Sequence, residues 1–291
     1  MMTRRIYPFY FVAIVLCFYV VFAVVPSFMG IYLSFTDWNS YAEEINFIGL
    51  DNYKTIFSSD ENYIHGINNT VIFTISTIVL KTVIGLLLAI LVNSGIKLKS
   101  FHRVIIFMPA IIPMLVVGII FKSILHPEYG LINEALRAIG LSQLTQHWLT
   151  DADWAFKSII AVDVWKGAGY IMVILLAGLQ AISHSYYEAA DIDGASAWQK
   201  FRFITIPLLM PTLTVTTVLN LLYGLKVFET VFVLTNGGPG YETEVVYTQV
   251  FSQFTLGSYG VGTALITVLF VTMTVMGYFS IKLMSREESN E

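Results

Sequence analysis

The chain has 291 residues, of which 56% are hydrophobic and only 12% charged, with a net charge of −4 and a mean hydropathy of +0.71. Soluble domains carry about 25% charged residues, so this composition belongs in a membrane, and no basic block exists that would track nucleic-acid phosphates. The single cysteine, Cys17, excludes an intrachain disulfide and any Cys/His metal spacing, and it reads as a small apolar residue of the first hydrophobic run.

A bilayer crossing needs about 20 mostly apolar residues. Six stretches qualify, near 9–35, 70–93, 104–124, 157–181, 208–234 and 261–284, which makes residues 1–291 a single all-α transmembrane domain. The first run far exceeds the roughly 7–15 apolar residues of a signal-peptide core, so it is expected to be retained. Lys and Arg in the connections set the orientation. One side holds Arg4, Arg5, Lys97, Lys99, Arg103, Lys200, Arg202, Lys282 and Arg286, and the other only Lys54 and Arg137. Both termini are therefore expected in the cytoplasm, with Asp37, Glu43, Glu44, Asp51, Asp60 and Glu61 in the first outer connection. Pro26, Gly85, Pro109, Pro113, Gly167, Gly169, Pro211 and Gly224 interrupt the spans. Such breaks are tolerated in lipid where neighbouring helices or a water-filled cavity satisfy the freed backbone groups, which suits a bundle around a path.

Between spans four and five lies a polar cytoplasmic loop, 182–207, containing EAADIDGASAWQKFRFITIP from Glu188 to Pro207. Ser183 or Ser185 is placed to cap a short helix from about Tyr186 to Ile192. Glu188 falls in its first turn, where the helix dipole favours a negative charge. Ala189 and Ala190 leave a narrow surface, and Gly194 suits the left-handed residue that ends a helix. A second helical stretch spans Ala195 to Phe203, and Pro207 opens the fifth span at a first-turn position. The expected shape is a helix-turn-helix elbow; a plain surface loop made of helix-friendly residues is the alternative reading.

The spacing decides between them. Glu188-Ala189-Ala190, three residues, Gly194, nine residues, then Ile204 and Pro207 resembles the signature of binding-protein-dependent ABC transporter permeases, with Ile206 where leucine is usual. The form EAADIDGA is similar to the carbohydrate-uptake, maltose-type branch. GLDNY (49–53), NNTVIFT (68–74), YGLIN (129–133), WKGAGY (165–170) and TNGGPGYETE (235–244) extend the resemblance over nearly the whole chain. It implies an importer-type permease fold whose elbow is a coupling helix seated in a cleft of a cytoplasmic ATPase. Glu188, Ala189, Ala190, Asp193, Gly194, Ile204 and Pro207 would form that contact. It also implies a second homologous permease in a heterodimer, two ATP-binding subunits, an extracellular solute-binding protein and a sugar substrate. The chain holds no G-x-x-x-x-G-K-[ST] phosphate loop. It is therefore expected to bind no cofactor, with ATP and Mg²⁺ held by the partner subunits, and not to be an enzyme.

Helical rise places WKGAGY ~12 Å below one face and Asn220 and Tyr223 ~18–22 Å above the other, in a core about 30 Å thick. Trp165, Tyr170, Asn220 and Tyr223 offer the aromatic faces and amides that sugars need, and Gly167 and Gly224 make room beside them. In the maltose-type family, substrate contacts come from positions matching Gly167, Tyr170, Tyr223 and Gly224. Each aromatic could equally serve helix packing or an interfacial belt. Among ionisable residues inside spans, Lys122, Lys226 and Glu229 lie near enough to the ends to snorkel. Asp163 and Lys166, three apart on one helical face, are expected to pair, and Lys81 is a further candidate for internal pairing.

The substrate class reads as a sugar or oligosaccharide, with a glycerophosphodiester or polyol as the alternative. An ion-coupled secondary transporter would favour internal repeats and carboxylate-lined broken helices, and no clear repeat occurs. An intramembrane enzyme needs a reactive constellation at one depth, whereas His65, His102, His126, His147 and His184 all fall outside the spans.

Overall fold

A computed structural model describes residues 9–58, 61–94 and 97–288, the side chains at 9–11, 61, 281 and 283–288 excepted. Arg4, Arg5 and Asp60, and the side chains of Glu61 and Arg286, lie outside the described residues.

The described residues are almost entirely helical. Helix α1 (Phe9–Tyr19) runs through a π-helical turn at Val20–Val24 into α2 (Val25–Leu33), and a short α3 (Asp51–Phe57) precedes the long α4 (Glu61–Asn93). Next come α5 (Lys99–Ile111), α6 (Met114–Ile124), α7 (Leu131–Ala138), the long α8 (Ala152–Ala181) and α9 (His184–Ile192). Helix α10 (Ala197–Lys200) continues through a second π-helical turn, Phe201–Thr205, into α11 (Ile206–Leu225). The chain closes with α12 (Glu229–Leu234), α13 (Val246–Thr255) and α14 (Tyr259–Glu288).

Among the described residues, five helical stretches are long and apolar enough to cross a membrane: Val12–Leu33, Asn62–Asn93, Ala152–Ala181, Ala197–Leu225 and Tyr259–Ser280. The expected third span, 104–124, is broken instead. Helices α5 and α6 are bent by 95° across Ile112–Pro113, and the count reaches six if the bent pair is one span. Ile112 is extended (ψ 129°), because the ring of a following proline disfavours the helical region for the residue before it. The expected fifth span also differs at both ends. It starts at Ala197 rather than near 208, and it stops at Leu225, with α12 a separate helix.

The chain divides into two compact units. The first, Met1–Ile64 with Gln249–Val271, is fastened by polar contacts around Ser34. The Ser34 hydroxyl lies 2.6 Å from that of Tyr53, and the buried Asn52 amide donates to the Ser34 and Thr36 carbonyls at 2.9 and 2.8 Å. Trp38 packs on Tyr259 with ring centroids 4.6 Å apart.

The second unit, His65–Thr248 with Thr272–Glu291, holds two apolar cores. One gathers Phe73, Val117, Ile159, Val231 and Val245; the other gathers Ala89, Ile171, Met172, Leu175 and Leu209. Helix α8 contributes to both, as its many buried positions require. Its contact with α5 is backbone to backbone. A Cβ added to Gly169 would lie 2.0 Å from the Ile106 carbonyl oxygen, so only glycine permits this approach.

Candidate functional site

The elbow assembles from signals between near neighbours. Helix α9 begins at Ser183, which stands in the capping position without capping: its hydroxyl lies 2.8 Å from that of Ser185. The other end is closed more completely. Gly194 adopts φ +73°, its N–H donates to Asp191 O (3.1 Å), and the Ala195 N–H donates to Ala190 O (2.9 Å). This paired arrangement satisfies the last-turn carbonyls and reverses the chain.

Helix α10 starts at Ser196, whose hydroxyl accepts from the Gln199 N–H (3.3 Å) while the Gln199 side chain accepts from the Ser196 N–H (2.7 Å). The S-x-x-Q at 196–199 is the sequence signal for that reciprocal cap. Two further contacts stiffen the elbow. Lys200 Nζ lies 2.6 Å from Asp191 Oδ1, and the Tyr187 and Thr205 hydroxyls are 3.0 Å apart.

The helix does not restart at Pro207. A π-helical turn carries it past the proline, with the Ile206 N–H reaching back to Phe201 O. Proline lacks an N–H, and its ring clashes with the carbonyl four residues earlier; widening the preceding turn accommodates both. Of the coupling candidates, Glu188, Ala189, Asp193 and Gly194 are exposed, Ala190 is buried, and Ile204 and Pro207 are half-buried. Glu188 also lies 3.3 Å from His184 Nδ1 one turn earlier.

Within the second unit, α4, α5, α8 and α11 enclose a cavity of about 230 Å³. Gly167, Tyr170, Asn220 and Tyr223 line it, together with Lys81, Ala110, Asp163 and Lys166. Trp165 and Gly224 do not. Trp165 meets Phe121 edge-on at 5.0 Å, and Gly224 is buried where a Cβ would lie 2.8 Å from Thr74 Cα on α4. Gly167 serves a related purpose, since a Cβ there would meet Lys81 Cε at 2.6 Å. Glycine at this position lets the lysine reach across α8.

The ion pair differs from the expected one. Asp163 pairs with Lys81, Nζ to Oδ2 at 2.6 Å, with both side chains at most 4% exposed. Its other oxygen accepts the Tyr223 hydroxyl at 2.7 Å and lies 3.4 Å from Thr230 Oγ1. The Lys81 ammonium also sits 4.3 Å from the centre of the Tyr223 ring. Lys166 instead donates to Ala110 O at 3.2 Å. That carbonyl belongs to the last turn of α5, where the break at Pro113 removes the intrahelical donors it would otherwise have. An orphaned carbonyl on a neighbouring helix thus outcompetes a same-helix carboxylate that Lys81 already neutralises. Beside them the buried Asn220 amide nitrogen has no hydrogen-bond partner among the described residues. Lys81 was not among the expected site residues; its only signal was a cation deep within an apolar run.

Residues 81–287 match the family of binding-protein-dependent transport system inner membrane components. The chain is 36% identical over 251 residues to the trehalose/maltose transport system permease protein MalF of Thermococcus litoralis, covering 86% of this chain and 84% of the relative. It is 33% identical over 279 residues to the multiple sugar-binding transport system permease protein MsmF of Streptococcus mutans, covering 96% and 95%. It also superimposes, with a TM-score of 0.84 and 27% identity, on a chain from the crystal structure of a bacterial ABC transporter involved in the import of the acidic polysaccharide alginate, over 96% of this chain and 94% of that one. The broken α5/α6 pair, the elbow and the long apolar helices are therefore parts of an ABC permease, and the chain belongs to the family of binding-protein-dependent inner-membrane transport components.

Proposed function

We propose that the chain is one permease subunit of an ATP-driven importer, forming part of the path for a sugar or oligosaccharide delivered by an extracellular binding protein. Six crossings, the bent α5/α6 pair counted as one, leave both termini in the cytoplasm. A sister permease completes the path, and two cytoplasmic ATPase subunits bind ATP and Mg²⁺ and hydrolyse the nucleotide. Glu188, Ala189, Ala190, Asp193 and Gly194 present the elbow to an ATPase subunit, while Ile204 and Pro207 carry its motion into α11. Tyr170, Asn220, Tyr223 and Gly167 contact the sugar, with Trp165 and Gly224 shaping the walls behind them.

The observation that carries this reading is the cavity inside apolar helices, lined by Lys81, Asp163 and Lys166, with a buried Asn220 amide nitrogen that has no partner among the described residues. A buried donor without an acceptor costs about 1–3 kcal/mol, and a ligand oxygen would remove that cost. The relatives named for trehalose/maltose and multiple-sugar transport support a sugar as that ligand. The test is ATP-dependent uptake into proteoliposomes holding the complete complex, across a panel of sugars loaded on the binding protein. Asn220→Ala and Tyr170→Ala should each cut uptake at least about tenfold, a loss of about 1.4 kcal/mol, while the complex still assembles. Unchanged uptake in both variants, or uptake that persists without the ATPase subunits, would overturn the reading.

A further inference from the structure

The cavity wall is unevenly equipped. Lys81 and Lys166 set two cations against the single carboxylate of Asp163, leaving one net positive charge. Asp163 is already engaged, with Lys81 ion-paired at Oδ2 while Tyr223 and Thr230 converge on Oδ1. The cavity also offers unused donors. The Asn220 amide nitrogen has no partner, on a residue only 5% exposed. Lys166 carries three N–H donors and gives one to Ala110 O. Among the described residues no ion pair engages it.

A cation held within a membrane-crossing helix is costly, and such residues pair or mark a ligand path. A neutral sugar would satisfy Asn220 and leave the surplus charge on Lys166 uncompensated. A sugar bearing an oxyanion satisfies both, through charge-assisted hydrogen bonds roughly twice as strong as neutral ones.

We propose that this cavity selects anionic sugars, those bearing a carboxylate, sulfonate or phosphate, with Lys166 as the specificity-determining cation and Asn220 as a second oxygen donor. The proposal rests on the cavity being the sugar site.

The test titrates the purified complete transport complex in nanodiscs with a glucuronate-containing disaccharide and with maltose, and repeats both with Lys166→Gln. Glutamine keeps an N–H for Ala110 O and removes the charge. The uronate is expected to bind the unmodified complex at least about tenfold tighter than maltose. Lys166→Gln should weaken uronate binding at least about tenfold and so erase that margin. Equal or tighter maltose binding, or a margin that survives the substitution, would overturn the charge assignment. ATP-dependent uptake of neutral sugars with no uptake of anionic ones would remove this inference and leave the permease function standing. No ATP-dependent uptake of any sugar would remove both.

Discussion

The elbow and the cavity are held together by opposite means. Every elbow contact joins residues close in the chain: Asp191 to Gly194, Ser196 to Gln199, Asp191 to Lys200, and at the longest Tyr187 to Thr205. The cavity contacts join Lys81 to Asp163, Asp163 to Tyr223, and Ala110 to Lys166, linking four helices. An elbow closed on itself keeps its shape through short-range contacts. A wall shared among helices registers a change in any one of them.

The sharpest way to break that contrast is at the buried pair. Lys81→Met strands the Asp163 charge at 1% exposure, and losing one partner of a buried pair costs about 3–5 kcal/mol. The expected outcome is a large fall in the thermal unfolding temperature of the detergent-solubilised protein, mostly regained in a Lys81→Met/Asp163→Asn double variant. Gly169→Ala comes next. Its Cβ would press on the Ile106 carbonyl, with an expected loss of about 1–3 kcal/mol by the same measurement, and the Lys166–Ala110 contact should suffer with it.

Elbow substitutions should cost less stability and more coupling. Gly194→Ala must hold φ +73° with a side chain, about 1–2 kcal/mol. Ligand binding in the cavity should survive it, while ligand-stimulated ATP hydrolysis falls. Ser196→Ala removes the reciprocal cap, about 1 kcal/mol, and hydrogen exchange should quicken at Gln199 and its neighbours without reaching α8.

The smallest effect lies outside both regions, on the loop after α2. Hydrogen bonds from the Asn46 backbone and side chain hold the Asp37 carboxyl below its ordinary value of 3.8. A lowered folded value means that this contact is complete above pH 3.8 and is lost as pH falls through the folded value. Exchange of the Asn46 amide should therefore quicken only under distinctly acidic conditions.

The same contrast explains what the sequence made legible. A helix end is written by adjacent residues, so Gly194 could be assigned its left-handed role from local chemistry alone. Apolar length likewise announced the long helices. The bend at Pro113 was foreshadowed by its proline, but a proline inside a helix either breaks it or is absorbed. Pro113 breaks α5 from α6, whereas Pro207 is absorbed by a widened turn, and the residue types do not distinguish the two outcomes. The partner of Asp163 was misassigned for a related reason. Spacing of three on one helix advertised Lys166, and nothing local could reveal that Lys81, 82 positions earlier in the chain, would arrive first. Gly167 was read as space beside a sugar, and its neighbour proved to be that lysine's own side chain.

The widened turn at Phe201–Thr205 has a consequence for phase. A helix advances about 100° with each residue, so a loop of backbone that holds one extra residue re-indexes every side chain beyond it by that angle. The extra residue therefore sets the rotation of Asn220 and Tyr223, which line the cavity, about the helix axis relative to the elbow. Excising a single position there would swing the cavity-lining side of α11 by more than a quarter turn relative to the elbow while leaving all its side chains chemically intact. The two ends of this helix are keyed to one another as the teeth of a gear are, by count.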